Sequence, residues 1–319
     1  MTALLRQGRL GSRHALGVTL GHARYASQAS PHAGGCTGGQ TTCDMATRVV
    51  LSIVFEDGTK QRVVSAAGAD WQVTAGPTIH DDSYSGEVYD ASMATPGWTA
   101  AGFQVAAPRW RAAEAVATPP VAELSSYLMP PVTKAEVYTA TRAWQPQQNE
   151  LSFDFGQNVA GALELTIPEG CLPGTRITIT HGEAVHQSER EDAGPGRVFH
   201  LYDCGPHGNG CTAFLSYVCS GAESAIDGSN VWSPYFFTSG GQFVKIEGYP
   251  GPLTREAVRL HGIHVELEYT GSAMTSSDLL NEASRIGRGS FVRSAFRATA
   301  PPGRSEDGLT RDMVQRPGR

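Results

Sequence analysis

Alternation with a period of two is the feature that most constrains this chain. It runs through Leu151-Ser152-Phe153-Asp154-Phe155, through Leu163-Glu164-Leu165-Thr166-Ile167, and through Ile177-Thr178-Ile179-Thr180-His181. It returns at Phe243-Val244-Lys245-Ile246-Glu247 and at Ile263-His264-Val265-Glu266-Leu267-Glu268-Tyr269. Successive side chains of a strand point to opposite faces, so this pattern predicts antiparallel strands with one buried face. Several such runs with turn residues between them predict β-sandwiches rather than helical layers. Glycine (37) and proline (19) together with a low charged fraction of 18% agree with many short strands and tight turns.

Earlier in the chain, Val49-Val50-Leu51-Ser52-Ile53-Val54-Phe55 and Gln61-Arg62-Val63-Val64 flank Glu56-Asp57-Gly58-Thr59. That arrangement predicts a hairpin over residues 48 to 66, with Asp57-Gly58 supplying positive φ angles at the turn. Between this region and the later strands lie Pro119-Pro120 and Pro130-Pro131, which stiffen a connector and cannot sit in a central ladder. A boundary near residue 125 follows: a first β-sandwich over 1–125 and a second over 126–271.

After Gly271 the period changes. Leu279, Leu280, Ala283 and Ile286 recur at helical spacing behind Thr275-Ser276-Ser277-Asp278, which offers capping side chains and an acid for the first turn. One amphipathic helix cannot bury its stripe alone, so residues 272–319 read as the truncated start of a helical domain.

The charge balance is 25 basic against 31 acidic residues, a net of −6, which provides no electrostatic footprint for nucleic acid. No apolar run approaches the ~20 residues of a membrane span, so neither nucleic acid nor membrane is expected as a partner. Arg6, Arg9 and Arg13 stand near the start without the apolar core of a secretory signal, a reading that favours the cell interior. Six cysteines are too dilute for a disulfide scaffold, and the pairs Cys36/Cys43 and Cys204/Cys211 lack metal-ligand spacing; thiols are expected. The Gly-rich patches at 35–39 and 205–210 lack the ending of a phosphate loop, and no nucleophile elbow of the Gly-x-Ser-x-Gly type occurs.

Two groups of residues invite chemistry. The first is Asp81-Asp82-Ser83-Tyr84-Ser85-Gly86-Glu87-Val88-Tyr89-Asp90, in which Asp81, Asp82, Tyr84, Glu87 and Asp90 interleave acids with aromatic rings. Carboxylates accept sugar hydroxyls and ring faces cover sugar C–H bonds, so carbohydrate binding is one reading. Calcium held by the same oxygens is another, and a third is a loop whose acids cap turns. The histidines of His181-Gly182-Glu183 and of His261/His264 lack a third ligand at metal spacing, so no metal site is expected there. The second group is Glu306, Asp307 and Asp312, where a carboxyl pair of the kind used in sugar hydrolysis could have one member, or where the acids are simply solvated.

Leu16-Gly17-Val18-Thr19-Leu20-Gly21, Thr74-Ala75-Gly76-Pro77, Asp82 to Ala91 and Pro96-Gly97-Trp98 occur in that order. Phe153-Asp154-Phe155-Gly156-Gln157-Asn158-Val159-Ala160-Gly161, His181-Gly182-Glu183 and Trp232-Ser233-Pro234 through Gly248 follow. As an ordered set these motifs resemble the bacterial-type α-L-rhamnosidases, a glycoside hydrolase family. The resemblance implies two β-domains followed by an (α/α)6 catalytic barrel whose first helix begins near Ser277-Asp278-Leu279-Leu280-Asn281. It implies rhamnose-containing glycosides as partners, inverting hydrolysis by two carboxylates, and no cofactor beyond the calcium considered above.

Carried onto Ala298 to Asp312, the family's acidic motif makes Glu306 the general acid and places Arg304 and Asp312 at the sugar. Ala300 and Ser305 stand where the motif has aspartates. An acid that tightens on a sugar hydroxyl in the transition state supplies several kcal/mol, which alanine does not. With the second carboxylate expected in a barrel that these residues only begin, the chain is expected to hydrolyse little. A non-catalytic carbohydrate-binding module and a truncated gene product are the alternatives.

Overall fold

In a computed structural model of the chain, the residues described are 15–22, 45–82, 85–105, 108–116, 130–185, 198–199, 214–223, 229–265 and 274–284. They are mainly β. Strands β1 (Val50–Val54), β2 (Lys60–Val64), β3 (Gly68–Val73), β4 (Thr78–Asp82), β5 (Gly86–Asp90) and β6 (Arg111–Ala113) come first. Then follow β7 (Val132–Thr139), β8 (Arg142–Gln147), β9 (Glu150–Thr166), β10 (Arg176–Gly182), β11 (Ala184–Val185) and β12 (Val198–Phe199). The last are β13 (Phe214–Val218), β14 (Val231–Trp232), β15 (Ser239–Glu247) and β16 (Val258–Val265). Two compact units are distinguished, one of residues Met1–Ser125 and Val137–His261, the other of Ser126–Glu136 and Gly262–Arg319.

The expected hairpin forms, with Val50 opposite Val64 and Val54 opposite Lys60. Its turn differs in one respect from the sequence reading. Gly58 alone takes positive φ (79°), while the Asp57 side chain accepts the Thr59 amide at 2.9 Å. An aspartate that closes an Asx turn holds the loop without entering the left-handed region itself.

The large sheet runs β4-β5-β13-β10-β15-β9-β16-β7, with β8 and β14 also paired to β9. Two alternating stretches that read as separate strands are one: β9 carries both Phe153 and Leu165 along 17 residues. Its neighbour β15 pairs with it from Glu247↔Glu150 to Ser239↔Gly161 and absorbs a register shift between Gly241 and Phe243. A shift of this kind bends a long ladder without ending it.

Cross-strand register sorts the side chains by face. Ile177 opposes Tyr217, Ile179 opposes both Leu215 and Ile246, and Val244 lies between His181 and Phe153. These apolar residues are buried and form one cluster with Leu163, Leu165, Ile167, Trp232 and Leu260. On the alternate positions Thr178 opposes Ser216 and Glu247, and Lys245 lies between Thr180 and Ser152. Lys245 Nζ meets Glu247 Oε2 at 2.8 Å. The period of two read from the sequence is thus the division between an apolar and a polar face.

The connection that matters most for the acidic loop is β5 to β13, a parallel pairing from Gly86↔Phe214 to Asp90↔Val218. Gly86 has φ of 103°, and a Cβ there would stand 1.9 Å from the Phe214 carbonyl oxygen. Only glycine admits that approach.

The thiol expectation is corrected at Cys171 and Cys219. These two, both buried, are joined in a disulfide with Cα atoms 6.0 Å apart. They lie 48 residues apart in sequence, and β10 and β13 between them bring their ends together through antiparallel pairing. Cys36, Cys43, Cys204 and Cys211 lie outside the described residues.

In the second unit, residues 278–284 are helical, as the change of period predicts. Ser277 caps the start: its carbonyl accepts the Asn281 amide at 3.0 Å, and the Thr275 amide donates to Asn281 Oδ1 at 2.8 Å. Leu279 is 79% exposed among the described residues, consistent with an apolar stripe that one helix cannot bury.

Candidate functional site

The acidic loop folds as the antiparallel pair β4–β5, with Asp81 opposite Glu87 and Asp82 opposite Gly86. Asp81, Asp82 and Glu87 are all buried, with Glu87 fully enclosed. Asp81 Oδ2 lies 2.9 Å from His22 Nδ1. Asp82 Oδ1 accepts the Ser85 amide at 3.0 Å, and His80 Nε2 meets Ser85 Oγ at 2.9 Å, so the turn is closed from both sides.

Glu87 reaches farthest in sequence. Its Oε1 accepts the Tyr235 amide at 3.1 Å, and Oε2 accepts those of Phe236 at 2.8 Å and Phe237 at 3.1 Å. Three backbone donors satisfy a carboxylate that would otherwise be costly to bury. Desolvation still pushes its pKa above the usual carboxylate range; the three amides oppose that shift, and Asp81 adds to it.

Asp90 has a different task. Its Oδ1 accepts the Ser92 amide at 3.0 Å and the Ser92 hydroxyl at 2.6 Å, capping the short 3-10 turn Ala91–Met93. Tyr84 lies outside the described residues, as do Arg304, Glu306 and Asp312. The structure therefore brings Asp81 and Glu87 together, leaves Asp82 opposite Gly86, and directs the contacts above at protein donors. Among the described residues, no group of three or more His, Cys, Asp or Glu side chains stands where it could hold a metal ion.

The other histidines pair with carboxylates singly. His261 Nε2 meets Glu164 Oε2 at 3.0 Å, and His264 Nε2 meets Glu136 Oε1 at 3.1 Å. His181 is buried while Glu183 is exposed and takes a hydrogen bond from Asn158 Nδ2 at 2.9 Å. Among the described residues, no helix is long and apolar enough to cross a membrane.

By holding the backbone of 235–237, Glu87 also sets an aromatic group that residue-by-residue reading did not find. Tyr89 stacks on Tyr217 (5.5 Å, 12°) and on Tyr235 (6.1 Å, 19°), and Trp232 stands edge-on to Tyr217 at 5.4 Å. The sequence shows these rings as isolated letters on three strands and a loop; the parallel β5–β13 pairing assembles them.

Two family models match the chain in order. The α-L-rhamnosidase N-terminal domain matches residues 1–136, and the bacterial α-L-rhamnosidase concanavalin-like domain matches residues 145–266. An α-L-rhamnosidase of Formosa agariphila is 27% identical over 245 residues, which is 77% of this chain and 24% of that protein. The solved α-L-rhamnosidase from Dictyoglumus thermophilum superposes with a TM-score of 0.62 at 26% identity, covering 74% of this chain and 24% of that one. The Streptomyces avermitilis α-L-rhamnosidase complexed with L-rhamnose gives 0.61 at 25% identity, covering 74% and 21%. The chain thus spans about a quarter of the length of the relatives it matches. The ordered motifs, the β-sandwich type of fold and both domain models agree: this chain belongs to the bacterial α-L-rhamnosidase family.

Proposed function

We propose that the chain supplies the β-domain platform of a glycoside hydrolase that releases terminal α-L-rhamnose from rhamnose-containing glycosides. In this reading Glu306 protonates the leaving oxygen, Arg304 and Asp312 hold the sugar, and a second carboxylate activates water for inversion. The ordered match of the N-terminal and concanavalin-like rhamnosidase models carries the proposal.

Residues 1–319 by themselves hydrolyse little, because Ala300 and Ser305 replace two carboxylates that the motif uses to bind the sugar. The same proposal takes 1–125, 126–271 and 272–319 as the N-terminal β-sandwich, the concanavalin-like β-sandwich and the start of the helical domain. The parallel pairing of β5 with β13 ties the first of these segments to the second.

The test is release of nitrophenol from an aryl α-L-rhamnoside by residues 1–319, beside the Glu306→Gln variant. A rate equal to that in buffer for both is expected. Turnover that Glu306→Gln abolishes would overturn the inactivity and establish Glu306 as the acid. Turnover that survives the variant would remove Glu306 from its role.

A further inference from the structure

Glu223 and Trp232 are each only 5% exposed, and both line one small cavity beside the aromatic group. Glu223 Oε1 is fixed by the turn before it, accepting the Ser220 and Gly221 amides at 2.6 and 3.2 Å. Its Oε2 has no hydrogen-bond partner among the described residues, and neither has Trp232 Nε1. A buried acceptor and a buried donor thus line the same cavity, and buried polar groups of this kind ordinarily have a partner. The cavity measures about 40 Å³, room for a hydroxyl or a water but not for a sugar ring. At its mouth is Tyr235, 64% exposed, with Tyr89 stacked behind it.

We propose that this is a carbohydrate-binding subsite on the concanavalin-like domain, in which one sugar hydroxyl enters the cavity while the ring lies against Tyr235. A hydroxyl is the group that can accept from the indole N–H and donate to the Glu223 carboxylate at once. A pyranose presents C–H bonds to an aromatic face while its hydroxyls point to polar partners. The ligand is a neutral sugar, because a sugar carboxylate would meet Glu223 as a like charge without a cation to offset it. Catalysis plays no part in the subsite. Only the choice of rhamnose as first probe rests on the function proposed above.

Titration calorimetry of residues 1–319 with methyl α-L-rhamnoside, methyl α-D-mannoside and sodium glucuronate decides the matter without any turnover. Saturable millimolar binding of at least one neutral glycoside, and none of glucuronate, is expected. Tyr235→Ala, at an exposed position, should weaken binding about tenfold. Trp232→Phe and Glu223→Gln should weaken it too, with far-UV circular dichroism confirming the fold. Binding of the mannoside in place of the rhamnoside would keep the subsite and remove its link to rhamnose. Absence of saturable binding by every probe, or binding that Tyr235→Ala leaves unchanged, would reduce the cavity to a water site and overturn the proposal.

Discussion

The carboxylate of Glu87 accepts the backbone amide of Phe236 at 2.8 Å across 149 residues of sequence. With the Tyr235 and Phe237 amides on the same group, one side chain in β5 fixes the loop that follows β14. Truncating it leaves three amides facing a void. Glu87→Ala is expected to lower the free energy of unfolding by about 3 kcal/mol or more, measured by urea denaturation. Glu87→Gln, which keeps an acceptor oxygen, should lose less.

The same residue makes stability depend on pH. Desolvation raises its pKa in the folded protein above the ordinary value of 4.5, so the folded state holds this proton more tightly than the unfolded chain. The resulting stabilisation is complete below the unfolded value and is lost as pH rises through the folded one. Urea midpoints of wild type and Glu87→Gln, compared at about pH 4 and about pH 7, should shift in favour of the variant on going up. A difference that does not move with pH would show that folding leaves the pKa of Glu87 unchanged.

Gly86 offers a sharper test of the β5–β13 pairing. Gly86→Ala must move a Cβ away from the Phe214 carbonyl at a positive φ, and a cost above about 2 kcal/mol is expected. Gly76→Ala is the control, since a Cβ there meets nothing within 4 Å. Equal unfolding midpoints for the two variants would contradict the register.

Closing a loop of 48 residues, the Cys171–Cys219 bond restricts the unfolded chain. The chain-entropy estimate for a loop of this length is about 4 kcal/mol. The Cys171→Ser/Cys219→Ser double variant is expected to lose stability of that order. Such bonds persist in oxidising compartments, so recovery of the intact bond from the native source would place maturation in one.

Truncation should cost more in the core of the large sheet than in the separate β1–β2 hairpin. Leu163→Ala, at a fully buried position, is expected to cost about 2–5 kcal/mol. Val54→Ala, in the exposed hairpin, should fall within about 0.5 kcal/mol of wild type.

What could be read from the sequence was local. Alternation at Ile177 to His181 and at Phe243 to Glu247 fixes face and period, because both follow from backbone geometry within a few residues. The hairpin over Val50 to Val64 carries its turn between its strands, and the Ser277 cap sits next to its helix. The acids of the Asp81 to Asp90 segment stood out as unusual, but not their use: whether Glu87 faces a ligand or the backbone of residue 236 depends on a pairing more than a hundred residues away. The Cys171–Cys219 bond and the Tyr89, Tyr217, Trp232 and Tyr235 group were illegible for the same reason. Nothing in the spacing of Cys171 from Cys219 signals that β10 and β13 will run antiparallel side by side.

The parallel pairing of β5 with β13 has a consequence for biosynthesis. Residues 78 to 90 leave the ribosome well before Phe214 to Val218 exist, a wait on the order of ten seconds at ordinary rates of elongation. Throughout that interval the edge of β5 has no neighbour, and the nascent chain must keep it from pairing with a stranger. Two of the five residues of β5, Glu87 and Asp90, are carboxylates, and while the strand is still hydrated acids of this kind disfavour edge-to-edge association.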